Sequence, residues 1–456
     1  MKRIFVIVVA VAAIALAGWA ALRPSGGAHR VVSVAIPRST TDQLPDTPEQ
    51  WRGRIDYRAL DRKLVALAER PEMAGLAVAV VENGKLTFVR TYGVADTVSG
   101  APVTPHTLFR WASVSKTATG AMAAKLANDD RLDLERPVAA WRTSLRLPRG
   151  AEARISLADL LSQRTSLTKN AYDERLEDGQ DAALLRNSLA TAPLQCEPAT
   201  CHTYQNIAFD AASEILSESA DQPFVDAVKE RLFLPLGMVS AQYGMASLTG
   251  AKDWARPHRD GQVLALSDAY WRVPAAAGVE SDIVDFATWM RAMMGERPDV
   301  LPEASLALAH RPRVTTERLY GGVLRQAISD AHYGLGWRRF TYNGHVLVGH
   351  SGAVAGYRAT MIFEPATQTG VVALWNSDWG FPFRIPFAAI DSYHKRDAVD
   401  WLDLSQIPPP GEEIVSPATR SAAMKRASLP LDPAKRNQRQ PKLFRQRVHK
   451  GVARRA

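Results

Sequence analysis

The 456-residue chain is predicted to adopt an α+β fold. In this fold an antiparallel sheet, built from both ends of the chain and flanked by helices, packs beside an inserted helical lobe. Three observations predict it: strand patterns lie at both ends of the central region, helical patterns fill the stretch between them, and short turns join the strands that return. Because sites form where two such parts meet, we expect the functional cleft between the sheet and the lobe.

The first elements are a helix and a hairpin. Leucines repeat along one stripe of residues 56–70, which predicts an amphipathic helix. Two strand-like runs, 76–81 and 86–94, follow and are joined through Asn83-Gly84, a dipeptide typical of a two-residue hairpin turn. We therefore expect the domain to begin near residue 56.

Helical patterns dominate residues 117–300, the predicted lobe, and strands return after it. The predicted helices of the lobe are 118–128, 157–163, 209–219, 224–233 and 282–294. The predicted strands are 333–340, 345–348, 358–363 and 371–375, with turns at 343–344 and 368–370. A helix over 386–402, with Pro386 in its first turn, closes a domain that spans about 56–400.

The amino-terminal segment predicts export. Residues 1–22 start with two bases and continue as an apolar run that contains small residues suited to cleavage. The run is also just long enough to stay in the bilayer, so a cleaved signal peptide and a retained anchor both remain open. Either outcome places the domain outside the cytoplasm, in the periplasm, behind a linker over 23–55.

The excess of basic over acidic residues lies in the last segment of the chain. The net charge is +9, yet residues 415–456 carry 12 Lys and Arg against one acid, and the first 414 residues carry 44 bases against 46 acids. A nearly neutral domain offers no electrostatic footprint for nucleic acid, which is excluded as a partner. Residues 408–456 are predicted to be a disordered basic tail that contacts anionic lipid headgroups of the inner membrane.

Two cysteines, Cys196 and Cys201, lie close together in a chain predicted to be exported, and we expect a local disulfide. The rival interpretation is a zinc half-site completed by His202. No second His and Cys cluster supplies the remaining ligands, so the disulfide is favoured over the metal.

Ser113 and Lys116 form a Ser-x-x-Lys pair at the start of a predicted helix. Residues three apart share a helix face, and a neutral amine there can take the hydroxyl proton. The same spacing occurs at Ser166 with Lys169 and at Ser392 with Lys395. Only the first pair opens a helix, where unpaired N–H groups favour anionic intermediates.

Two further groups carry chemistry. In Tyr204-Gln205-Asn206, a tyrosine held near a cation can act as a general base and then as an acid. His350-Ser351-Gly352 follows a predicted strand, whose edge can offer an N–H to an oxyanion. If His350 titrates near pH 6.5, we expect activity to depend on pH near neutrality.

Together, in this order, the three groups resemble the penicillin-recognising serine hydrolases, namely class C β-lactamases and their D-alanyl-D-alanine carboxypeptidase and esterase relatives. Further matching segments are Thr107-Leu108-Phe109-Arg110, Asp159-Leu160-Leu161, Ala276-Ala277-Gly278 and Tyr333-Gly334-Leu335-Gly336-Trp337. The resemblance covers about residues 56–400. It implies an acyl-enzyme on Ser113 and substrates that are D-Ala-D-Ala-type or other peptidoglycan-type peptides, β-lactams or small esters.

The resemblance also assigns roles to individual residues. It implies that Lys116 and Tyr204 share the proton transfers and that Asn206 holds the substrate amide. It implies further that Ser351 and His350, followed by Gly352, face the substrate carboxylate. The backbone N–H groups of Ser113 and Ala353 would bind the oxyanion, and the resemblance implies no metal or cofactor.

The sequence departs from the family pattern at two places. His350 stands where class C β-lactamases carry lysine, a variant that resembles the carboxypeptidase and esterase relatives more closely. Gln163-Arg164-Thr165-Ser166-Leu167 stands where members often have His-Thr-Ser-Gly-Leu or His-Arg-Thr-Gly-Leu.

Two alternative functions remain open. Residues 349–353 imitate the nucleophile elbow of an α/β-hydrolase with Ser351 as the nucleophile, although an elbow serine must lead into a helix and the following residues predict a strand. The other alternative is a catalytically silent binding protein of the cell envelope.

Overall fold

The structure, a computed structural model, describes residues 44–316 and 324–404. The predicted export segment, the basic tail and residues 23–43 of the predicted linker lie outside the described residues. Within the described ranges, no helix combines the length and the apolar character needed to cross a membrane.

The strands and helices are numbered in chain order. The strands are β1 (Gly75–Glu82), β2 (Lys85–Gly93), β3 (Phe109–Arg110), β4 (Gln242–Tyr243), β5 (His258–Arg259), β6 (Gln262–Val263), β7 (Val279–Ser281), β8 (Val314–Thr315), β9 (Ile328–Tyr333), β10 (Arg338–Tyr342), β11 (His345–Val354), β12 (Tyr357–Glu364) and β13 (Thr369–Trp375). The α-helices are α1 (Tyr57–Ala68), α2 (Ser115–Asn128), α3 (Leu157–Leu161), α4 (Asp173–Glu177), α5 (Ala182–Ser188), α6 (Ala211–Ala220), α7 (Phe224–Val228), α8 (Met245–Gly250), α9 (Pro274–Ala277), α10 (Ile283–Met293), α11 (Glu303–His310), α12 (Leu324–Ala327) and α13 (Ile385–Tyr393).

An antiparallel sheet with the order β2-β1-β13-β12-β11-β10-β9-β8 forms the centre of the molecule. The strands from the two ends of the domain meet where β1 pairs with β13, which confirms the predicted α+β class. The hairpin of β1 and β2 turns as expected at Asn83 and Gly84, whose φ angles of 51° and 78° are those of a type I′ turn.

Helices cover both faces of the sheet. Alternate residues of β1 point to opposite sides: Leu76 packs in a core cluster with residues of α1 and α13, and Ala77 packs in a second cluster with residues of α2 and α10. All eight residues of β1 are buried, as expected for a strand covered on both faces. Trp51 and Ile55 join the first cluster, so the last residues of the predicted linker pack into the domain.

The segment between β2 and β8 is mostly helical, as predicted, and lies on the α2 side of the sheet. It also holds a three-stranded sheet, β3-β7-β4, and the small hairpin β5-β6. Helix α2 runs through the middle of this part, and 11 of its 14 residues are buried. The residues at the beginning of α2 are therefore surrounded by protein on most sides.

Three predicted elements differ in extent. The strand expected over 333–340 is two strands, because the turn between Tyr333 and Arg338 packs onto α2: a Cβ atom at Gly336 would lie 2.2 Å from the carbonyl oxygen of Lys116. Strand β11 continues to Val354, well beyond residue 348, because it pairs with β12 as far as Tyr357. The closing helix stops at Tyr393 rather than at residue 402, since Lys395 takes a left-handed φ of 54°.

Candidate active site

Ser113 lies in a tight turn between β3 and α2, on the wall of a cleft of about 550 Å³. The turn, Ala112–Val114, begins with Ala112 at a φ of 48°, in the left-handed region that residues with a Cβ seldom adopt. Ala112 and Val114 are buried, whereas Ser113 is half-buried. The turn thus directs the serine side chain into the cleft and its neighbours into the core.

Lys116 lies below the serine in the first turn of α2. Its side chain is fully buried, and its Nζ donates to Asn206 Oδ1 at 2.6 Å, to the Ala276 carbonyl at 3.0 Å and to Ser113 Oγ at 3.4 Å. The two shorter bonds fix the amine, and the third brings it to the hydroxyl that the sequence predicts as nucleophile. The predicted pair is therefore assembled in space.

Tyr204 lines the same cleft, with Lys116 Nζ 4.7 Å from its ring centroid. The backbone beside it is held by the buried side chain of Gln163, whose amide group donates to the Gln205 carbonyl at 3.0 Å and accepts from the Gln205 N–H at 2.7 Å. Asn170 N–H donates to the Tyr204 carbonyl at 2.9 Å. Gln163, which departs from the family pattern, therefore holds the backbone of the Tyr204 loop in place.

The disulfide between Cys196 and Cys201 is present and precedes this loop directly. Arg164 pairs with Asp159 at 2.7 Å and donates to the Ala199 carbonyl inside the bridged segment. Bridged sulfurs are not thiolate ligands, so the zinc half-site is wrong. His202 instead lines the cleft, where burial, together with the charges of Arg338 and Lys169, lowers its pKa to about 4.

Asn206 links Lys116 to a carboxyl group that sequence reasoning missed. Its Oδ1 accepts from Lys116, and its Nδ2 donates to Asp173 Oδ2 at 2.6 Å, which leaves one N–H for the predicted contact with a substrate amide. Burial raises the pKa of Asp173 to about 6, although the hydrogen bond from Asn206 and the charge of Lys116 lower it. Asp173 follows no motif, and its place in the cleft arises from the fold.

The segment His350-Ser351-Gly352 runs past the Ser113 turn. Pairing of β11 with β10 ends at Gly349, so the following residues have a neighbouring strand, β12, on one side only. A Cβ atom at Gly352 would lie 2.1 Å from the Trp111 carbonyl oxygen and 2.9 Å from the Ser113 nitrogen. Glycine is therefore needed here for the strand to approach the turn, and the oxyanion role of the Ser113 and Ala353 N–H groups stays a prediction.

His350 does not supply the cation that we expected. The ring is buried, its Nδ1 lies 2.7 Å from the Ser351 carbonyl oxygen and its Nε2 lies 2.9 Å from the Tyr333 hydroxyl. Since a carbonyl only accepts, Nδ1 carries the proton, and Nε2 accepts from the tyrosine. Burial, with the charges of Arg338 and Lys116, holds the pKa of His350 well below its usual value, so the expectation of a charge change near pH 6.5 is wrong.

Arg338, which sequence reasoning also missed, brings a permanent cation to the cleft. Its guanidinium carbon lies 5.3 Å from the Tyr333 ring centroid and 5.9 Å from that of Tyr204. Within residues 44–316 and 324–404 it forms no ion pair with a carboxylate, and it is half-buried in the wall of the cleft. Its position directly after the matched segment 333–337 is the signal that could have pointed to it.

The competing motifs lie elsewhere or have other tasks. Ser166 is buried and donates to the Glu197 carbonyl at 2.8 Å, and Ser392 accepts from the Asp56 N–H at 2.9 Å on the α1 side of the sheet. Ser351 lies inside β11, which turns directly into β12, so the helix that a nucleophile elbow requires is missing. The elbow interpretation is therefore wrong.

Comparisons with known proteins place the chain in a family. Residues 60–393 match the family described as Beta-lactamase. Among curated proteins, an unguisins hydrolase of Aspergillus violaceofuscus is 26% identical over 68% of this chain and 59% of its own length. A D-aminopeptidase of Gluconobacter oxydans is 26% identical over 70% of this chain and 58% of its own, and a β-lactamase of Yersinia enterocolitica is 24% identical over 72% and 89%.

A solved structure supports the fold. The octameric penicillin-binding protein homologue from Pyrococcus abyssi superposes with a TM-score of 0.66 at 20% identity, over 75% of this chain and 78% of that one. The chain spans about three fifths of the length of the first curated relatives. The family match extends over most of the chain, and the buried Lys116 contacts Ser113 and the ring of Tyr204, two residues of one cleft. The chain therefore belongs to the Beta-lactamase family of serine hydrolases.

Proposed function

We propose that the protein hydrolyses carboxylate-bearing amides, D-Ala-D-Ala-type peptides and β-lactams among them, through an acyl-enzyme on Ser113. The observation that carries the proposal is the buried Lys116 amine, held by Asn206 and Ala276 within hydrogen-bond reach of the Ser113 hydroxyl. A fixed amine beside a half-buried serine at the end of a cleft is what an activated nucleophile needs.

The chemistry follows from this arrangement. Ser113 Oγ attacks the acyl carbon while its proton passes to the Lys116 and Tyr204 pair, and the carbonyl oxygen becomes an oxyanion that the N–H groups of Ser113 and Ala353 stabilise. The tetrahedral intermediate collapses, the leaving amine takes the proton, and an ester of Ser113 remains. Water then gives a proton to the same pair and attacks the ester carbon. The second tetrahedral intermediate collapses, the bond to Ser113 Oγ breaks, Oγ takes the proton back, and the acid leaves.

The preference for a carboxylate rests on charge. His350 is neutral at pH 7, so Arg338, together with the exposed Lys169 at the cleft, provides the positive field that a substrate carboxylate would meet. A guanidinium presents two N–H groups to a carboxylate in one plane, and Arg338 has no carboxylate partner among the described residues to compete for them. Neutral esters lack a carboxylate and would gain no binding energy from Arg338.

The test compares a penicillin, an acyl-D-Ala-D-Ala peptide and a p-nitrophenyl ester. We expect Arg338→Gln to raise the KM for the two carboxylates by about 10- to 100-fold, the usual effect of losing a hydrogen bond to a charged group, and to leave the ester unchanged. Arg339→Gln, one residue along the same strand, is the matched control. Equal losses for all three substrates in Arg338→Gln would contradict the carboxylate preference, and no adduct with any substrate in the unmodified protein would favour the silent binding protein.

A second candidate activity is removal of an amino-terminal residue from a peptide, as the name of the D-aminopeptidase relative indicates for that protein. The observation that favours it is Asp173, whose Oδ1 is buried without a hydrogen-bond partner at the wall of the cleft. An ammonium group of a substrate would supply that partner. Faster turnover of D-Ala-p-nitroanilide than of its N-acetylated form would support this candidate.

We also propose that the domain works outside the cytoplasm, on the basis of the apolar segment 1–22 and the disulfide. Fractionation of cells that express the full chain, with a cytoplasmic marker enzyme as control, tests this. Recovery of activity with the cytoplasmic marker would contradict it.

A further inference from the structure

Two histidines and one glutamate converge on the side of the sheet away from the Ser113 turn. His345 opens β11, Glu364 ends β12, and His394 follows the last residue of α13. His345 Nδ1 lies 2.9 Å from Glu364 Oε1, and His394 Nε2 lies 2.7 Å from Glu364 Oε2. Their ligand atoms all lie within 4.8 Å of one another.

We propose that His345, Glu364 and His394 form a binding site for a divalent transition-metal ion of the zinc class, with water in the remaining position. Two imidazoles and one carboxylate are a known zinc ligand set, and a tetrahedral zinc with bonds of about 2.0 to 2.2 Å holds its donor atoms about 3.3 to 3.5 Å apart. In the structure the two contacts between histidine and glutamate are 2.9 and 2.7 Å, and all three ligand atoms lie within 4.8 Å of one another, so the separations lie on either side of that value. Small side-chain rotations therefore suffice to bring the donors around an ion.

The surroundings fit a metal site in other ways. The side chain of Glu364 is 5% exposed, that of His394 is 16% exposed and that of His345 is 31% exposed, so the cluster is largely buried and is most open to solvent at His345. His394, Thr367 and His345 all hydrogen-bond to the Glu364 carboxylate and fix its position.

The arrangement of the rings also favours an ion. The two imidazoles are stacked with their centroids 3.7 Å apart, so both rings lie against the same carboxylate. A metal ion would bind between Nδ1 of His345 and Nε2 of His394, the two ring atoms that already face Glu364. Thr367 Oγ1 donates to Glu364 Oε2 at 2.9 Å, which orients the carboxylate from the outer side.

The expected role is to tie the end of α13 to the sheet. Residues 345 and 350 are five positions apart on β11, about 17 Å at the usual strand rise, so the ion would not touch the reacting groups. We therefore expect zinc to raise the melting temperature and to leave turnover at 25 °C unchanged. This prediction is independent of the proposed function.

The experiment uses the full chain without a histidine tag, stripped with EDTA and titrated with Zn²⁺ against a chromophoric chelator. We expect one tight site per chain, weakened at least about tenfold in Glu364→Gln and in His394→Asn. His106→Asn is the matched control, because His106 also contacts a carboxylate, Asp282 at 3.2 Å, but no second histidine joins them among the described residues. Visible absorption of the Co²⁺-loaded protein should indicate four- or five-coordination and disappear in Glu364→Gln.

The outcomes separate this site from the catalytic one. Ser113→Ala should bind zinc like the unmodified chain, and His345→Asn, at the most exposed of the three ligands, should lose zinc while keeping its fold. No binding by the unmodified chain, or the same affinity in Glu364→Gln, His394→Asn and His345→Asn, would overturn the proposal. Loss of the site in His106→Asn would place the ion elsewhere and also overturn it.

Discussion

Replacing Gly352 by alanine tests how closely β11 must approach the serine turn. The added Cβ would lie 2.1 Å from the Trp111 carbonyl oxygen, and ordinary contact begins near 3.4 Å, so the strand or the turn has to move by about 1 Å. A displacement of that size between reacting groups costs about 100-fold in rate. We expect Gly352→Ala to lower kcat by about that factor, with a smaller change in KM.

The assay is steady-state hydrolysis of a p-nitrophenyl ester, with thermal unfolding as a check on the fold. Gly349→Ala is the matched control, because a Cβ there would lie 2.0 Å from the Met361 carbonyl oxygen, in the neighbouring strand rather than in the serine turn. It should lower the melting temperature and change kcat far less. A folded Gly352→Ala protein with an unchanged kcat would refute the reasoning that places β11 in the oxyanion site.

Two predictions concern pH. Burial raises the pKa of Asp173 to about 6, so the stability that its protonated form contributes is complete below about pH 4 and is lost as the pH rises through 6. Asp173→Asn does not titrate. Its free energy of unfolding in urea, relative to that of the unmodified protein, should therefore increase by about 3 kcal/mol between pH 4 and pH 8. An equal stability difference at both pH values would contradict the raised pKa. His350 remains neutral from pH 6 to 8, so His350→Gln should reduce kcat/KM without changing the shape of its pH profile, whereas Asp173→Asn should remove an acid limb near pH 6. A limb near pH 6.5 that disappears in His350→Gln would show that His350 titrates in this range and would contradict the lowered pKa.

The features that were predicted correctly rest on short-range patterns. The Asn83-Gly84 turn depends on two residues that tolerate left-handed φ, and the pairing of Ser113 with Lys116 depends on one helical turn. The disulfide joins residues only five apart. In each case the residues that decide the structure are neighbours in the chain.

The features that were missed depend on contacts between distant segments. Asp173 reaches the site through Asn206, 33 residues later, and Gln163 acts on Gln205, 42 residues later. The pKa of His350 follows from burial beneath Tyr333 and beside Arg338, which no local pattern shows. The split of the strand predicted over 333–340 likewise depends on the contact of Gly336 with α2.

The most direct test of the central claim is to find which serine carries the acyl group. The protein is incubated with a penicillin or a fluorophosphonate, digested, and mapped by mass spectrometry, with Ser113→Ala and Ser351→Ala treated in parallel. We predict an adduct on the peptide that contains Ser113, its loss in Ser113→Ala and its retention in Ser351→Ala. An adduct that persists in Ser113→Ala and vanishes in Ser351→Ala would contradict the account.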